Sequence, residues 1–132
     1  MSAVDAEPRG ELTIRTIAMP ADTNANGDIF GGWLMSQMDS AGGMTTVQRC
    51  GGRVVTVAVD AMVFHRPVKV GDILCVYTEM LKVGRTSMRV RIEAWVRRFT
   101  GGVHEKVTEG EFTYVAIDGS GRPRPVDPVV AG

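Results

Sequence analysis

One acidic residue, Asp39, stands in the stretch of residues 29–48, which carries no other charge. A carboxylate in apolar surroundings is costly unless it is paired or hydrogen-bonded. An Asp here either pairs with an arginine or caps a loop, or it acts as a general base that takes a proton from a nucleophile. The residue types leave both uses open and make Asp39 the leading candidate for catalysis.

Two glycines and an asparagine precede this carboxylate. Gly31 and Gly32 fall in the first turn of a predicted helix, where glycine is a poor helix former. Either they pack closely against a sheet, or their N–H groups approach a ligand at the positive end of the helix and bind a carbonyl oxygen. Asn24, in the preceding loop, either forms a turn or holds a water or a carbonyl oxygen.

The spacing of these residues constrains the site. Gly31 and Asp39 are separated by about 12 Å along one helix, so both do not readily flank one carbonyl from the same chain. Two antiparallel helices across a two-fold axis would bring Asp39 of one chain to the glycine turn of the other. The sequence therefore predicts a dimer with two shared sites.

Basic and hydroxyl side chains that could bind phosphate stand at predicted turns and strand ends. A guanidinium and two hydroxyls meet at one turn, and another arginine follows a strand; the alternative is solvated charge. The candidates are Gly84, Arg85, Thr86, Ser87 and Arg66.

Other common chemistries have no motif in the chain. No nucleophile elbow, dinucleotide fingerprint or P-loop is present. Cys50 and Cys75 form no CxxC or Cys/His cluster, so we expect no metal, no cofactor and reduced thiols in a reducing compartment.

The elements that must position these residues are one strand, one long helix and four further strands. The helix, at about residues 30–49 with Asp28 as its N-cap, has no charged face and should be buried all round. The strands are predicted at 11–17, 53–64, 73–83, 86–99 and 105–117. We expect 53–64 to be a central strand, the last four strands to form an antiparallel meander, and Trp95 to be an apolar exception on the outer face. The fold class is α+β, with a curved antiparallel sheet wrapped around one central helix and a second subunit covering the rest.

Composition excludes several classes of protein. The 132 residues have a formal net charge of zero, which argues against a nucleic-acid or membrane-surface partner. Residues 1–10 lack the features of a signal peptide, and 29–48 are too polar for a membrane span, so we expect a cytoplasmic protein. We expect a flexible arm at 1–10, one domain at 11–118 and a loosely ordered tail at 119–132.

At this point the sequence resembles the YciA-type acyl-CoA thioesterases of the hotdog superfamily. The resemblance lies in residues 19–33 (MPADTNANGDIFGGW) and 35–39 (MSQMD), with weaker matches at 53–59, 66–68, 70–72 and 84–87. It implies a hotdog fold, dimers assembled into hexamers, and cleavage of acyl-CoA to free acid and coenzyme A.

The resemblance also implies roles for individual residues. Asp39 would be the catalytic carboxylate, which either activates water or attacks the thioester directly to form an anhydride. Asn24 would be an assisting residue, and Gly31 with Gly32 the turn that polarises the thioester carbonyl. Coenzyme A would lie in a groove between subunits. The chain departs from the family in its short C-terminal tail and in His65, where a more apolar residue is expected.

Two other functions compete with hydrolysis. A non-catalytic acyl-CoA sensor would normally carry a DNA-binding domain, for which 132 residues leave no room. A hotdog dehydratase would need a catalytic histidine with a carboxylate, and His65 and His104 are poorly placed for that.

Overall fold

In the computed structural model, which describes residues 7–98, 101–102 and 104–127, one long helix packs on a five-stranded antiparallel sheet. This arrangement confirms the predicted α+β class. The elements are β1 (Glu11–Ile17), a short 3₁₀ helix (Pro20–Asp22), α1 (Gly31–Cys50), β2 (Val54–Phe64), β3 (Ile73–Val83), β4 (Ser87–Arg97) and β5 (His104–Ala116).

The order of strands in the sheet is β1-β3-β4-β5-β2. Strands β3, β4 and β5 form part of the expected meander. However, β2 pairs with β5 at the sheet edge, so the prediction of a four-stranded meander and the prediction of a central position for 53–64 were both wrong. The connection 65–72 takes the chain past β4 and β5 instead of turning back as a hairpin. The apolar residues of β2 are therefore open in one chain: Val55, Val57, Val59, Val63 and Phe64.

The core lies between α1 and the inner face of the sheet. Leu34, Met38 and Ala41 of the helix pack with side chains of β4 such as Val90 and Ile92. The opposite side of the helix is open in the single chain, and it includes apolar residues, Met44 and Val47. A helix with no charged face is thus covered on one side only, which leaves the other side for a partner.

The ends of α1 differ partly from the prediction. Phe30, not Asp28, is the N-cap, and it makes no side-chain cap hydrogen bond. Asp28 instead forms an ion pair with Lys69 and a backbone bridge to it. The helix ends at Gly51, whose φ of 72° is the left-handed conformation that favours glycine.

The outer face of the sheet is partly covered by its own side chains. Trp95, the apolar exception that we expected on this face, is fully buried. Its indole N–H donates to Glu93 Oε1 at 2.9 Å, and its ring lies 5.1 Å from that of His104. Neighbouring side chains of β4 and β5 therefore help to bury an aromatic side chain on this face.

The segment after β5 packs against the domain as far as the structure describes it. Val126 is 1% exposed, and its N–H donates to the Arg85 carbonyl at 2.8 Å. Arg124 donates to the Cys50 carbonyl at 3.0 Å. The expectation of a loosely ordered tail thus fails for residues 119–127, because these contacts anchor it; residues 128–132 lie outside the described part.

The predicted arm is described only from residue 7 onward. There the Arg9 N–H donates to Glu93 Oε1 at 3.3 Å, and its guanidinium pairs with Glu79 at 2.5 Å. Residues 1–6 lie outside the described part. The boundaries of the domain at 11–118 remain a prediction.

Candidate active site

Asp39 lies in the middle of α1 and faces the β2–β5 edge of the sheet. Thr56 of β2 and Tyr114 of β5 are cross-strand partners, so their side chains stand next to each other on one face. Both hydroxyls donate to Asp39 Oδ1, at 2.6 Å from Thr56 and 2.9 Å from Tyr114. The strand register therefore builds a pair of donors for one carboxylate oxygen.

Tyr114 is almost fully buried at this site. Its ring stacks on Phe112 with centroids 6.4 Å apart, and its hydroxyl also lies 2.9 Å from the Asp39 carbonyl oxygen. Burial raises the pKa of Tyr114 far above its ordinary value, and the charge of Asp39 and their hydrogen bond act in the same direction. The phenol therefore stays protonated and serves as a hydrogen-bond donor.

Asp39 is not neutralised by a cation in the part of the chain that the structure describes. The ion pairs there join other residues, so the pairing alternative raised from the sequence is not what holds this carboxylate. Asp39 instead borders a cavity of about 240 Å³. The other lining residues are Gly32, Met35, Ser36, Thr56, Val59 and Phe112. A carboxylate held by hydroxyls at the mouth of a largely apolar cavity can accept a proton.

A second cavity, of about 400 Å³, holds three other predicted residues: Asn24, Gly31 and Arg66. Asn24 does form a turn, because its Oδ1 accepts the N–H groups of Asn26 at 2.9 Å and Asp28 at 3.1 Å. No hydrogen bond from its side-chain Nδ2 to another described residue is present. The side-chain oxygen of Asn24 thus fixes the loop, and its Nδ2 is a hydrogen-bond donor at the cavity wall.

Gly31 and Gly32 begin the helix as predicted, and both are exposed. The first helical hydrogen bond is that of Leu34, which donates to the Phe30 carbonyl at 3.2 Å. The amides of the two glycines precede it and have no partner within the helix. A side chain at Gly32 would meet no atom within 4 Å, so packing inside this chain does not explain that glycine.

The predicted residues form three separate groups within one chain. Gly32 shares the smaller cavity with Asp39, while Gly31 shares the larger one with Asn24 and Arg66. The turn 84–87 leads into β4, where Ser87 pairs with Val115 of β5. Val115 also pairs with Val55, at the start of β2. Arg66 follows the opposite end of β2. The eleven extended residues of β2 span roughly 36 Å, and this length separates Arg66 from the turn. One chain therefore does not bring Arg66 and Arg85 to the same phosphate.

The side chains of these basic candidates differ in their surroundings. Arg66 donates to the Lys106 carbonyl and lies 3.5 Å from Glu105, so part of its charge is already engaged. Arg85 is exposed, and the Gly84 N–H closes the turn onto the Ser87 carbonyl at 2.7 Å. Arg85 is thus the better placed of the two to meet an external anion.

Sequence reasoning missed Thr56 and Tyr114. Tyr114 could have been noticed in the sequence, because its polar hydroxyl lies on the inward face of an apolar strand. Its contact with Asp39 and its pairing with Thr56 depend on the strand order, which the sequence did not predict. Among the described residues there is no group of three or more His, Cys, Asp and Glu side chains that could hold a metal. None of the described helices is long and apolar enough to cross a membrane.

Comparison with known proteins places these features in a family. The model of the "Thioesterase superfamily" matches residues 26–98. The acyl-CoA thioester hydrolase YciA of Salmonella typhimurium is 54% identical over 129 residues, covering 96% of this chain and 97% of the relative. The hexameric thioesterase y2039 of Yersinia pestis has a TM-score of 0.89 at 53% identity, covering 92% of this chain and 99% of that one. The hexameric hotdog fold thioesterase Cj0915 of Campylobacter jejuni gives 0.84 at 39%, covering 89% and 91%. This chain belongs to the thioesterase superfamily, in its YciA-type group, and has the hotdog fold.

Proposed function

We propose that this protein is an acyl-CoA thioesterase that hydrolyses the thioester at a site shared by two subunits. One observation carries the proposal: the Asp39 carboxylate is held by two hydroxyls, has no cation partner among the described residues and borders a cavity. The similarity to relatives named acyl-CoA thioester hydrolase supports the choice of substrate.

In the proposed reaction, Asp39 takes a proton from a water that attacks the thioester carbonyl carbon. The carbonyl oxygen becomes an oxyanion, which the Gly31 and Gly32 amides of the other subunit stabilise at the positive end of their helix. The carbon–sulfur bond then breaks, leaving a carboxylic acid and a coenzyme A thiolate that takes up a proton. Asn24 orients the attacking water.

The two cavities suggest where the parts of the substrate lie. Met35, Val59 and Phe112 form an apolar wall beside Asp39, which suits an acyl chain. The coenzyme A phosphates would lie near Arg66 and the turn Gly84-Arg85-Thr86-Ser87. Because these two groups are far apart in one chain, a coenzyme A that touches both must lie between subunits.

The oligomer that we propose is a dimer at minimum, assembled into a hexamer as a trimer of dimers. The open apolar residues of β2 and of α1 need a cover of this kind. The similar Yersinia and Campylobacter thioesterases are described as hexameric. Free Cys50 and Cys75 suit a reducing compartment, and the cytoplasm remains our prediction.

A thiol-release assay with several acyl-CoAs tests the activity. Asp39→Asn should lower kcat by roughly 10²–10⁴ with little effect on folding, because the general base is lost. Asp60→Asn is the control: Asp60 lies on the same strand as Thr56, half exposed and near Arg89. Tight binding of acyl-CoA without release of thiol would instead favour the sensor, and an Asp39→Asn protein with wild-type turnover would contradict the assignment.

Mixing two inactive variants tests whether the site is shared. In each shared site, one subunit supplies Asn24 and the glycine turn, and the other supplies Asp39. Asn24→Ala therefore inactivates the first contribution, and Asp39→Asn inactivates the second. Random reassociation makes half the dimers mixed, each with one intact site of two, so activity should return to about a quarter of wild type. Mixtures that stay as inactive as the parents would place both residues in one subunit's site.

A further inference from the structure

The Tyr114 hydroxyl has two acceptors, and both belong to Asp39. Oδ1 and the backbone carbonyl oxygen of Asp39 each lie 2.9 Å from it. A phenol carries one proton, so it donates fully to one acceptor at a time. Tyr114 therefore holds both the side chain and the backbone of the proposed base.

Gly42 makes this approach possible. A Cβ at this position would lie 2.1 Å from the Tyr114 hydroxyl oxygen and 2.7 Å from Ile92 Cδ1. Any larger residue would therefore push the hydroxyl away from the helix. A glycine in the middle of α1 lowers helix propensity, and its position under the hydroxyl gives the reason for it.

The charges on neighbouring elements are occupied elsewhere. Thr56 faces Asp39 from β2 and Tyr114 faces it from β5; in α1 itself, Arg49 pairs with Asp127. Most charged residues of β2 to β5 form ion pairs with residues other than Asp39: Arg9 with Glu79, Asp60 and Glu111 with Arg89, Glu93 and Glu109 with Arg91, Lys106 with Glu109, and Glu105 with Arg66 and Arg98. Tyr114 is thus the titratable group that contacts Asp39 in the described part of the chain.

We propose that Tyr114 is a positioning residue, seated in the space above Gly42, that fixes Asp39 Oδ1 and leaves Oδ2 to take the proton from water. This inference rests on the proposed function. While Asp39 is charged, the hydroxyl donates to Oδ1, because a bond to a charged acceptor is stronger. When Asp39 gains the proton, the hydroxyl turns to the Asp39 carbonyl. The buried donor keeps a partner throughout the cycle, which avoids the penalty of an unsatisfied group.

The test compares Tyr114→Phe with Tyr77→Phe in the assembled protein. The chain has two tyrosines, and Tyr77 lies against His104, away from Asp39. Tyr114→Phe should lower kcat about tenfold and change KM less, and it should move the acid limb of kcat/KM to higher pH. A carboxylate that loses a donor keeps its proton to higher pH. Tyr77→Phe should leave the profile at its wild-type position.

A lower rate with an unmoved acid limb would reduce Tyr114 to a structural residue and overturn the inference. If Tyr114→Phe does not assemble, Gly42→Ala displaces the hydroxyl without removing it, and the same upward shift is expected; an unmoved limb again overturns it. Infrared titration of protein labelled with ¹³C-carboxyl aspartate gives the same comparison without turnover.

The failure of this inference differs from the failure of the proposed function. A wild-type protein that releases no thiol contradicts the thioesterase, while the infrared titration still decides the role of Tyr114. Loss of activity in Asp39→Asn together with an unaffected Tyr114→Phe contradicts the role of Tyr114 alone.

Discussion

Alanine should have opposite effects on stability at the two adjacent glycines of α1. In an exposed helix interior, glycine to alanine stabilises by about 1 kcal/mol. At Gly43 a new Cβ would meet no atom within 4 Å in its own chain, so nothing within the subunit opposes this gain. At Gly42 the new Cβ would overlap the Tyr114 hydroxyl and Ile92.

The magnitude at Gly42 follows from two losses set against the same gain. Overpacking of a core costs about 1–3 kcal/mol, and a hydrogen bond to a charged group contributes about 1.5–3 kcal/mol. Relaxation of the helix relieves part of both, so a net loss of about 2 kcal/mol is expected for Gly42→Ala. The two variants should therefore differ by about 3 kcal/mol.

Urea unfolding at one fixed subunit concentration measures this difference, because the stability of an oligomer depends on concentration. The wild type and both variants should give the same m-value. Equal midpoints for Gly42→Ala and Gly43→Ala would show that the Tyr114 hydroxyl does not occupy the space above Gly42.

Two further changes test the packing outside the site. Asp72→Ala should lower the free energy of unfolding by about 1.5–3 kcal/mol in urea, because it removes the buried carboxylate that lies 2.6 Å from the Arg98 guanidinium. Arg98 keeps Glu105 and the Pro67 carbonyl as partners, and a loss below about 0.5 kcal/mol would show that the pair is solvated. Burial, helped by the charge of Arg97, lowers the pKa of His104 below its ordinary 6.5. As pH falls, the histidine of the unfolded chain binds a proton before that of the folded chain, so the free energy of unfolding should fall below about pH 6.5. His104→Gln should flatten this part of the curve of stability against pH. An unchanged slope in the variant would be evidence against the role of His104.

The sequence predicted the features that depend on local chemistry. The lone charge of Asp39 in an apolar stretch marked it as a candidate for the site, which remains a prediction. Helical spacing and turn-forming residues placed α1 within a residue or two of its ends. Gly31 and Gly32 were placed in the first turn by the same reasoning. These features are local, so neighbouring residues determine them.

The position of β2 could not be predicted from its apolar composition. An apolar strand suits either the centre of a sheet or an edge that a partner covers. The partners of Asp39 depend on the same long-range pairing, because Thr56 and Tyr114 meet only once β2 lies beside β5. The order of 119–127 likewise comes from the contact of Val126 with a distant turn, which its Gly- and Pro-rich composition does not reveal.

A single turnover in H₂¹⁸O, with enzyme in excess over acyl-CoA, tests most directly whether Asp39 activates water. We predict that ¹⁸O enters the released acid, that the peptide carrying Asp39 keeps its mass, and that Asp39→Asn slows the same labelling. Incorporation of ¹⁸O into the Asp39 carboxylate would contradict it, because the carboxylate would then have attacked the thioester to form an anhydride.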